Sequence, residues 1–536
     1  MARATLLLAA AFCGLLPFTL AQQTDKDAPK ATSAKNDAPQ ATSADNDVQV
    51  RAACGVCHAL PPPDVLPRYA WRDEIVRMMY IREGRLPPLS PQARATVQLP
   101  ADFQHALDYY LARAPEHLAA PEPWPDPSES PLQFDRRTMS MPDMPSTPAV
   151  SNVRLVDLDN KKKLELLGTD MRQGVVFRGS FEGAGALSTI ATIPHPAHVT
   201  VADVDKDGLP DLLVADLGTF YPEDHDKGAV IWLRGIGQGK FSAFWLDGWP
   251  RVADVEAADF GGNGWNDLVV AAFGWRKTGR ISIMENRTAN PRQPSFTEHV
   301  IDSRTGAIHV IPVDLNHDGK MDFVALLAQE HETVVAYINQ GNYTFEQKVI
   351  YQAPHPNWGS TGIQLVDLDG DGDLDVLMTH GDTFDDGIVK PYHGIQWLEN
   401  TGTYPFVEHT LASMAGVHRA QAIDLNGDGR LDIVACALLA GGSDVDEKTL
   451  PALVWLEQTK KGVFVKHTIE MGFPRHATLD LGDVNQDGRP DVVVGNFSID
   501  KPIASWVDVW VQRAAAEKRA AASRSAFAVA RDSKFK

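Results

Sequence analysis

The chain has 536 residues, 44% of them hydrophobic and 22% charged, with a formal net charge of −20. Such a length and apolar content provide for two or more domains with a large core, while the acid excess argues against nucleic acid as a partner, since phosphate binding needs basic surface. Four cysteines, Cys13, Cys54, Cys57 and Cys436, are too few for a disulfide-stapled scaffold.

Residues 1–21 carry Arg3, an apolar run from Leu6 to Leu20 and a small residue, Ala21, before Gln22. This reads as a signal peptide cleaved after Ala21, which makes the mature protein periplasmic or secreted, with no transmembrane segment after cleavage. A lipoprotein anchored through Cys13 fits less well, because bulky Phe12 stands where a small residue is needed. Residues 22–48 contain an imperfect duplication, Asp-Ala-Pro-Lys/Gln-Ala-Thr-Ser-Ala, too poor in apolar groups to pack, and form a disordered linker.

Cys54-Gly-Val-Cys57-His58 is the C-x-x-C-H of haem c attachment, in which Cys54 and Cys57 bond the haem vinyls and His58 ligates the iron. A thioredoxin-like pair would need a βαβ pattern around it, and a zinc site a second Cys/His pair nearby. Residues 49–118 resemble a small cytochrome c domain: a Pro-rich loop from Leu60 to Pro67, a helix from about Tyr69 to Arg82, and a closing helix from about Ala101 to Ala114. Phe103, Leu107, Tyr110 and Leu111 share one face of the latter. The resemblance implies a sixth iron ligand, for which Met78 or Met79 is the candidate, set against the commoner use of Met as core filler. The Met-Pro of small cytochromes is Leu86-Pro87 here, which leaves open a five-coordinate iron or one ligated by His105 or His117. Residues 119–131, with prolines at 121, 123, 125, 127 and 131, are a semi-rigid linker.

Residues 132–513 are organised by a repeat, D-x-D/N-x-D-G-x-x-D followed by an apolar run, starting at Asp203, Asp314, Asp367, Asp424 and Asp483 and, in weaker form, at Asp157 and Asp259. Starts lie 46 to 59 residues apart, room for four short strands each, so seven copies predict a seven-bladed β-propeller. The fold class expected is therefore mainly β, preceded by a small all-α domain.

Oxygens at loop positions 1, 3, 5 and 9, with Gly at 6 for the turn, suit Ca²⁺. The ligand sets are Asp203, Asp205, Asp207 and Asp211; Asp314, Asn316, Asp318 and Asp322; Asp367, Asp369, Asp371 and Asp375; Asp424, Asn426, Asp428 and Asp432; Asp483, Asn485, Asp487 and Asp491. An EF-hand would have Glu at position 12, where the first loop has Val214. These repeats resemble the VCBS/FG-GAP family, the calcium-loop propellers known from integrin α heads. Two loops depart from it: Asp157 runs into Asn160, Lys161, Lys162 and Lys163, and the Asp259 loop has Gly261 at position 3, leaving Asp259, Asn263 and Asp267.

Phe134–Met139 matches the outer strands beginning at Phe296, Phe406 and Phe464, which predicts that an N-terminal strand completes the last blade. Cys436 lies in an apolar run and reads as a core thiol. Residues 514–536 form a basic tail.

On the face opposite the Asp loops, His198, Asp254 and His309 stand five positions before the loop Asp; His476 stands seven before, the same strand parity, and His418 six before, joining them only through a bulge. Arg251, Arg419 and Arg475 are nearby, and loops add Glu223, His225, Glu330, His331, His380 and Asp382. Such a set suits a metal, an acid/base pair or an anionic ligand, against the plainer reading of a water-lined channel. His198, His309, His418, His476 and Arg475 are the catalytic candidates. No nucleophile elbow, H-E-x-x-H or phosphate loop is present.

The expected function is electron transfer through one covalent haem c, with a calcium-stabilised propeller that binds a redox partner protein. Glycan or protein recognition, or a propeller enzyme (an oxidoreductase using haem as acceptor, or a polysaccharide lyase), is the alternative.

Overall fold

The computed structural model describes residues 48–514 except 49, 53, 56, 57, 89, 159–161, 184, 442–444 and 500. The signal segment with Cys13, linker residues 22–47, Cys57, Asn160, Lys161 and tail residues 515–536 lie outside the described residues. The described chain is a seven-bladed β-propeller, seven antiparallel sheets of four strands each. No described helix is long and apolar enough to cross a membrane.

Blades 1 to 6 are laid down in order, each from its innermost strand outward. Second strands, such as Asp211–Asp216 and Asp267–Ala272, are buried at all six positions, because neighbouring blades cover both faces. Outer strands are one-sided: Phe241–Trp249 and Phe296–Asp302 mix exposed with half-buried positions, each with a single buried residue, and read as mixed polar and apolar. Blade 7 combines both ends of the propeller. Its strands His476–Gly482, Asp491–Asn496 and Val507–Gln512 are completed by Phe134–Met139, which pairs with the last from Phe134 opposite Gln512 to Met139 opposite Val507. The ring therefore closes without an open sheet edge there.

The Asp loops are rigid for a reason visible in their hydrogen bonds. The first Asp folds the loop on itself: Asp367 accepts the N–H groups of Gly370 (2.8 Å), Asp371 (3.1 Å) and Gly372 (3.0 Å), and Asp203, Asp314, Asp424 and Asp483 accept from their own positions 5 and 6. The sixth residue is left-handed, φ 82° at Gly208 and 101° at Gly372, which accounts for Gly there. The ninth Asp opens the second strand, buried, and accepts two backbone N–H groups, one from the loop's second residue and one from the third strand. For Asp211 these are Val204 (2.9 Å) and Gly235 (2.7 Å); for Asp432, Leu425 (3.2 Å) and Gln458 (2.8 Å). Amides at the end of the third strand then tie one blade's loop to the next: Asn339 Nδ2 donates to Phe260 O (3.0 Å) and Gln512 Nε2 to Leu425 O (2.8 Å).

Before the propeller, among the described residues, come the α-helices α1 (Trp71–Arg82), α2 (Pro91–Ala95) and α3 (Ala101–Arg113), and residues 48, 50–52 and 54 are helical as well. Helices α1 and α3 match the predicted ones, while α2 is new; its start, Ser90-Pro91, has the Ser90 hydroxyl accepting the Ala93 N–H (3.1 Å), a standard N-cap. Trp71 and Tyr110 stack at 3.6 Å in a core with Ile75, Met79, Phe103 and Leu107, which Ile388 and Tyr392 of the propeller join. The Pro-rich stretch is docked on the propeller at Trp124 and Glu122. Trp124 enters the core of blades 5 and 6 and donates to Ser413 O (3.2 Å), and Lys466 reaches Glu122 (2.7 Å). A spacer was expected; the buried indole explains why this one lies on the surface it spans.

In blade 7, fully buried Asp508 accepts from Arg136 (2.7 Å), Asn496 (2.9 Å) and Ser505 (2.7 Å), so it joins the N-terminal strand to the C-terminal ones. Asp508→Ala is expected to lower stability by about 2–3 kcal/mol, because it strands buried donors. Urea unfolding compared with wild type measures the loss.

Candidate functional site

All seven inner strands carry a bulge one residue from their start, with register shifts such as Pro196/His198, Val252/Asp254, Ala307/His309, Val417/Arg419 and His476/Thr478. The extra residue turns the strand, so it is the residue after the bulge that occupies the same level in each blade. That level holds Asn152, His198, Asp254, His309, Gly362, Arg419 and Thr478.

Four of these make a connected polar group. His198 Nδ1 lies 2.7 Å from Asp254 Oδ1, His309 Nδ1 lies 3.4 Å from Asp254 Oδ2, and Arg419 Nη1 lies 3.3 Å from His309 Nε2. Val310 N–H also donates to Asp254 Oδ2 (3.1 Å). Two residues further along the strands, Glu256 Oε1 accepts from Thr200 Oγ1 (2.9 Å), and Arg154 Nη1 stands 3.4 Å from it. Burial opposes the charge of Asp254, but His198 and His309 more than offset it and hold its carboxyl well below the usual carboxylate range. Burial, together with the Asp254 charge, pushes Glu256 up, and burial lowers His309.

The bulges separate the other candidates. His418 is itself a bulged residue, half-buried, with a pKa lowered to about 4 by burial and by His309. His476 lies before its bulge, and parity no longer carries it to the channel; it is fully buried between Asn496 Oδ1 (2.7 Å) and Glu470 Oε2 (2.7 Å). Arg475 pairs with Glu447 (2.9 Å), and Arg251 is buried, its pKa lowered to about 10 by that burial. The loop residues are largely occupied locally: Glu223 with Lys227 (2.8 Å), His225 with Thr219 (2.9 Å), and Glu330 with Thr305 (3.2 Å) and His331 (3.6 Å).

A second polar group, of which the sequence reading named only His380 and Asp382, underlies the contact between the helices and blade 5. His355, His380 and His393 are buried, with ring nitrogens that have no hydrogen-bond partner. Trp358 stacks on His380 (4.4 Å) and Tyr392 (5.5 Å). Burial lowers His355 to about 4 and His380 to about 3, so both are neutral near pH 7. Burial and the neighbouring Asp385 raise Asp382 to about 7. Glu332, buried beside them, accepts the Ser360 N–H (2.9 Å), yet its burial raises it to about 8.

The haem-motif residues have distinct surroundings. Cys54 is half-buried against the helical core, which raises its pKa. His58 Nδ1 donates to Ala59 O (2.8 Å), so Nε2 keeps its lone pair. Met79 belongs to the core and Met78 is half-buried; His105 Nε2 is buried without a partner, and His117 is exposed.

Among the Asp loops, ligand oxygens converge within 4.8 Å for Asp203, Asp205 and Asp211 and for Asp367, Asp369 and Asp371. Arg234 pairs with both Asp205 and Asp207 in the first of these, so an ion there must displace a guanidinium; Lys461 stands 3.2 Å from Asp369 in the other. The Asp259 loop has the same backbone hydrogen bonds as the stronger ones, Asn263 N and Gly264 N donating to Asp259 at 3.0 and 2.6 Å, despite Gly261.

Fold and loops together define a seven-bladed propeller with FG-GAP-like repeats: residues 259–325 and 314–378 match the FG-GAP-like repeat family. The chain is 24% identical over 274 residues to the T-cell immunomodulatory protein homolog of Plasmodium yoelii yoelii, a match that takes in 45% of this chain and 38% of that protein. Less than half of the relative's length is thus spanned. A chain in the crystal structure of BBS1N in complex with ARL6DN, soaked with mercury, is similar at a TM-score of 0.41 and 11% identity, over 72% of this chain and 97% of that one.

For Glu332 the sign is set by its raised pKa: the folded state favours the protonated acid, so this contribution is full below the ordinary Glu pKa and is lost as pH rises toward about 8. Glu332→Gln, which has no proton to lose, should show a melting temperature that falls less than wild type between pH 5 and pH 8.5. The full effect of one such group is about 1.4 kcal/mol per pH unit, read by thermal melts across that range.

Proposed function

We propose that the chain is an exported c-type cytochrome fused to a propeller and that it transfers electrons through one covalent haem. The observation that carries this reading is His58, the last residue of C-x-x-C-H, whose Nδ1–H is committed to Ala59 O and whose Nε2 is left as a donor to a metal. Haem bound there would supply reversible one-electron chemistry. Cys54 and Cys57 would hold it and His58 would ligate its iron, with Met78 or Met79 as the sixth ligand and His105 as the other choice. The stacked Trp71 and Tyr110, with the core around them, exclude water from the side against which Cys54 packs.

Calcium in the five stronger loops is part of the same reading. Their oxygens at positions 1, 3 and 5 are held in place by the loop's own N–H groups, so binding requires little reordering of the chain. The propeller then serves as a stiff base on which the helical segment rests and to which a redox partner docks, in the periplasm or outside the cell. Oxidation or elimination at the channel is the second reading, favoured by the relay from Arg419 through His309 to Asp254; glycan binding would use the same face.

Protein produced with haem-attachment machinery should show a reduced-minus-oxidised cytochrome c spectrum and an intact mass raised by one haem. In His58→Ala the spectrum should change to that of an iron lacking its proximal ligand; a spectrum identical to wild type would remove His58 from that role. Excess chelator should lower the melting temperature, since each site filled at a hundred times its Kd contributes about 2.7 kcal/mol. A melting temperature unmoved by chelator rules calcium out of the loops.

A further inference from the structure

We propose that the propeller channel holds a divalent transition-metal ion, bound by His198, Asp254 and Glu256, distinct from the calcium-type loops. A ligand atom from each of the three lies within 4.8 Å of the others. The decisive atom is Asp254 Oδ1. It sits 2.7 Å from His198 Nδ1, within ion-pair distance, and yet has no hydrogen-bond partner. Asp254 is only 2% exposed, and a buried carboxylate oxygen with no donor is a costly arrangement. Two ligands of one ion have this relation: close together, each aimed at a third point.

The rest of the group fits that role. Arg419 donates to His309 Nε2, which leaves the His309 proton on Nδ1, directed at Asp254 Oδ2; Val310 N–H donates to the same oxygen. Oδ2 is therefore held from two sides while Oδ1 is left for a cation, the arrangement by which outer residues orient a metal-binding carboxylate. Glu256 is fixed by Thr200. One imidazole nitrogen with two carboxylates suits Zn²⁺, Mn²⁺ or Fe²⁺ rather than Ca²⁺, which prefers oxygen alone, and three protein ligands leave a coordination position open. Arg154 and Arg419 beside it favour an anionic oxygen ligand at that position.

The test uses the full chain, stripped with chelator, saturated with Ca²⁺ to fill the loops, and then incubated with Zn²⁺ or Mn²⁺ alone. Metal per chain is counted by elemental mass spectrometry after gel filtration, for wild type and for Asp254→Asn, Glu256→Gln and His198→Gln. Zinc taken up elsewhere, at Cys54 or in the loops, is common to all four proteins and cancels in the difference. Wild type should hold one equivalent more than each variant, and His309→Ala should weaken the site by roughly 10- to 100-fold. The proposal is overturned if wild type takes up neither ion or if the variants hold as much as wild type. Near-ultraviolet circular dichroism checks the folding of each variant; should Asp254→Asn unfold, Glu256→Gln and His198→Gln decide the matter.

Discussion

A buried aspartate that accepts two backbone N–H groups is the constraint on which most of this molecule depends. At Asp211, Asp267, Asp322, Asp375, Asp432 and Asp491 the same carboxylate fixes the Asp loop with one oxygen and the end of the neighbouring strand with the other. Since the group is out of water, its hydrogen bonds are strong and its loss would leave two backbone donors unmet. Loop geometry, strand pairing and the amide ties between blades all follow from this one position. The proposed calcium would thus be an addition to a loop that already has a reason to be ordered.

The repeat of that aspartate is also why the propeller was legible from the sequence. Spacing of 46 to 59 residues gave the blade count, and the likeness of Phe134–Met139 to later outer strands gave the closure. The channel was only half legible. His198, Asp254 and His309 were found by counting back from the loop, and the count holds because every blade has the same bulge. Counting by twos failed for His476, since a bulge reverses which side a residue faces, and no local residue type marks a bulge in advance. Arg419 stood only as a nearby residue and Glu256 was missed, because their partners come from other blades.

Other histidines turned out to belong to the architecture. His299, His409 and His467 occupy one position of the outer strand, each bonded to a glutamate on the third strand (3.0, 2.7 and 2.9 Å), and each stacked on an aromatic ring. The recurring Phe-x-x-His pattern had carried that signal. By contrast His355, His380 and His393 occur at unrelated positions and meet, around Trp358 and Tyr392, only through the folding of blade 5. Nothing periodic announces such a meeting.

Closure of blade 7 has a consequence for synthesis and quality control. Phe134 waits for Gln512 to be made before either has its partner, so the first strand of the propeller stays unpaired while the intervening blades are translated. Contacts so distant in sequence form late, and a chain cut between Met471 and Val507 retains six of its blades but no closed ring. Proteolytic surveillance therefore has one simple structural mark by which complete and incomplete copies differ: the exposed flank of a single sheet.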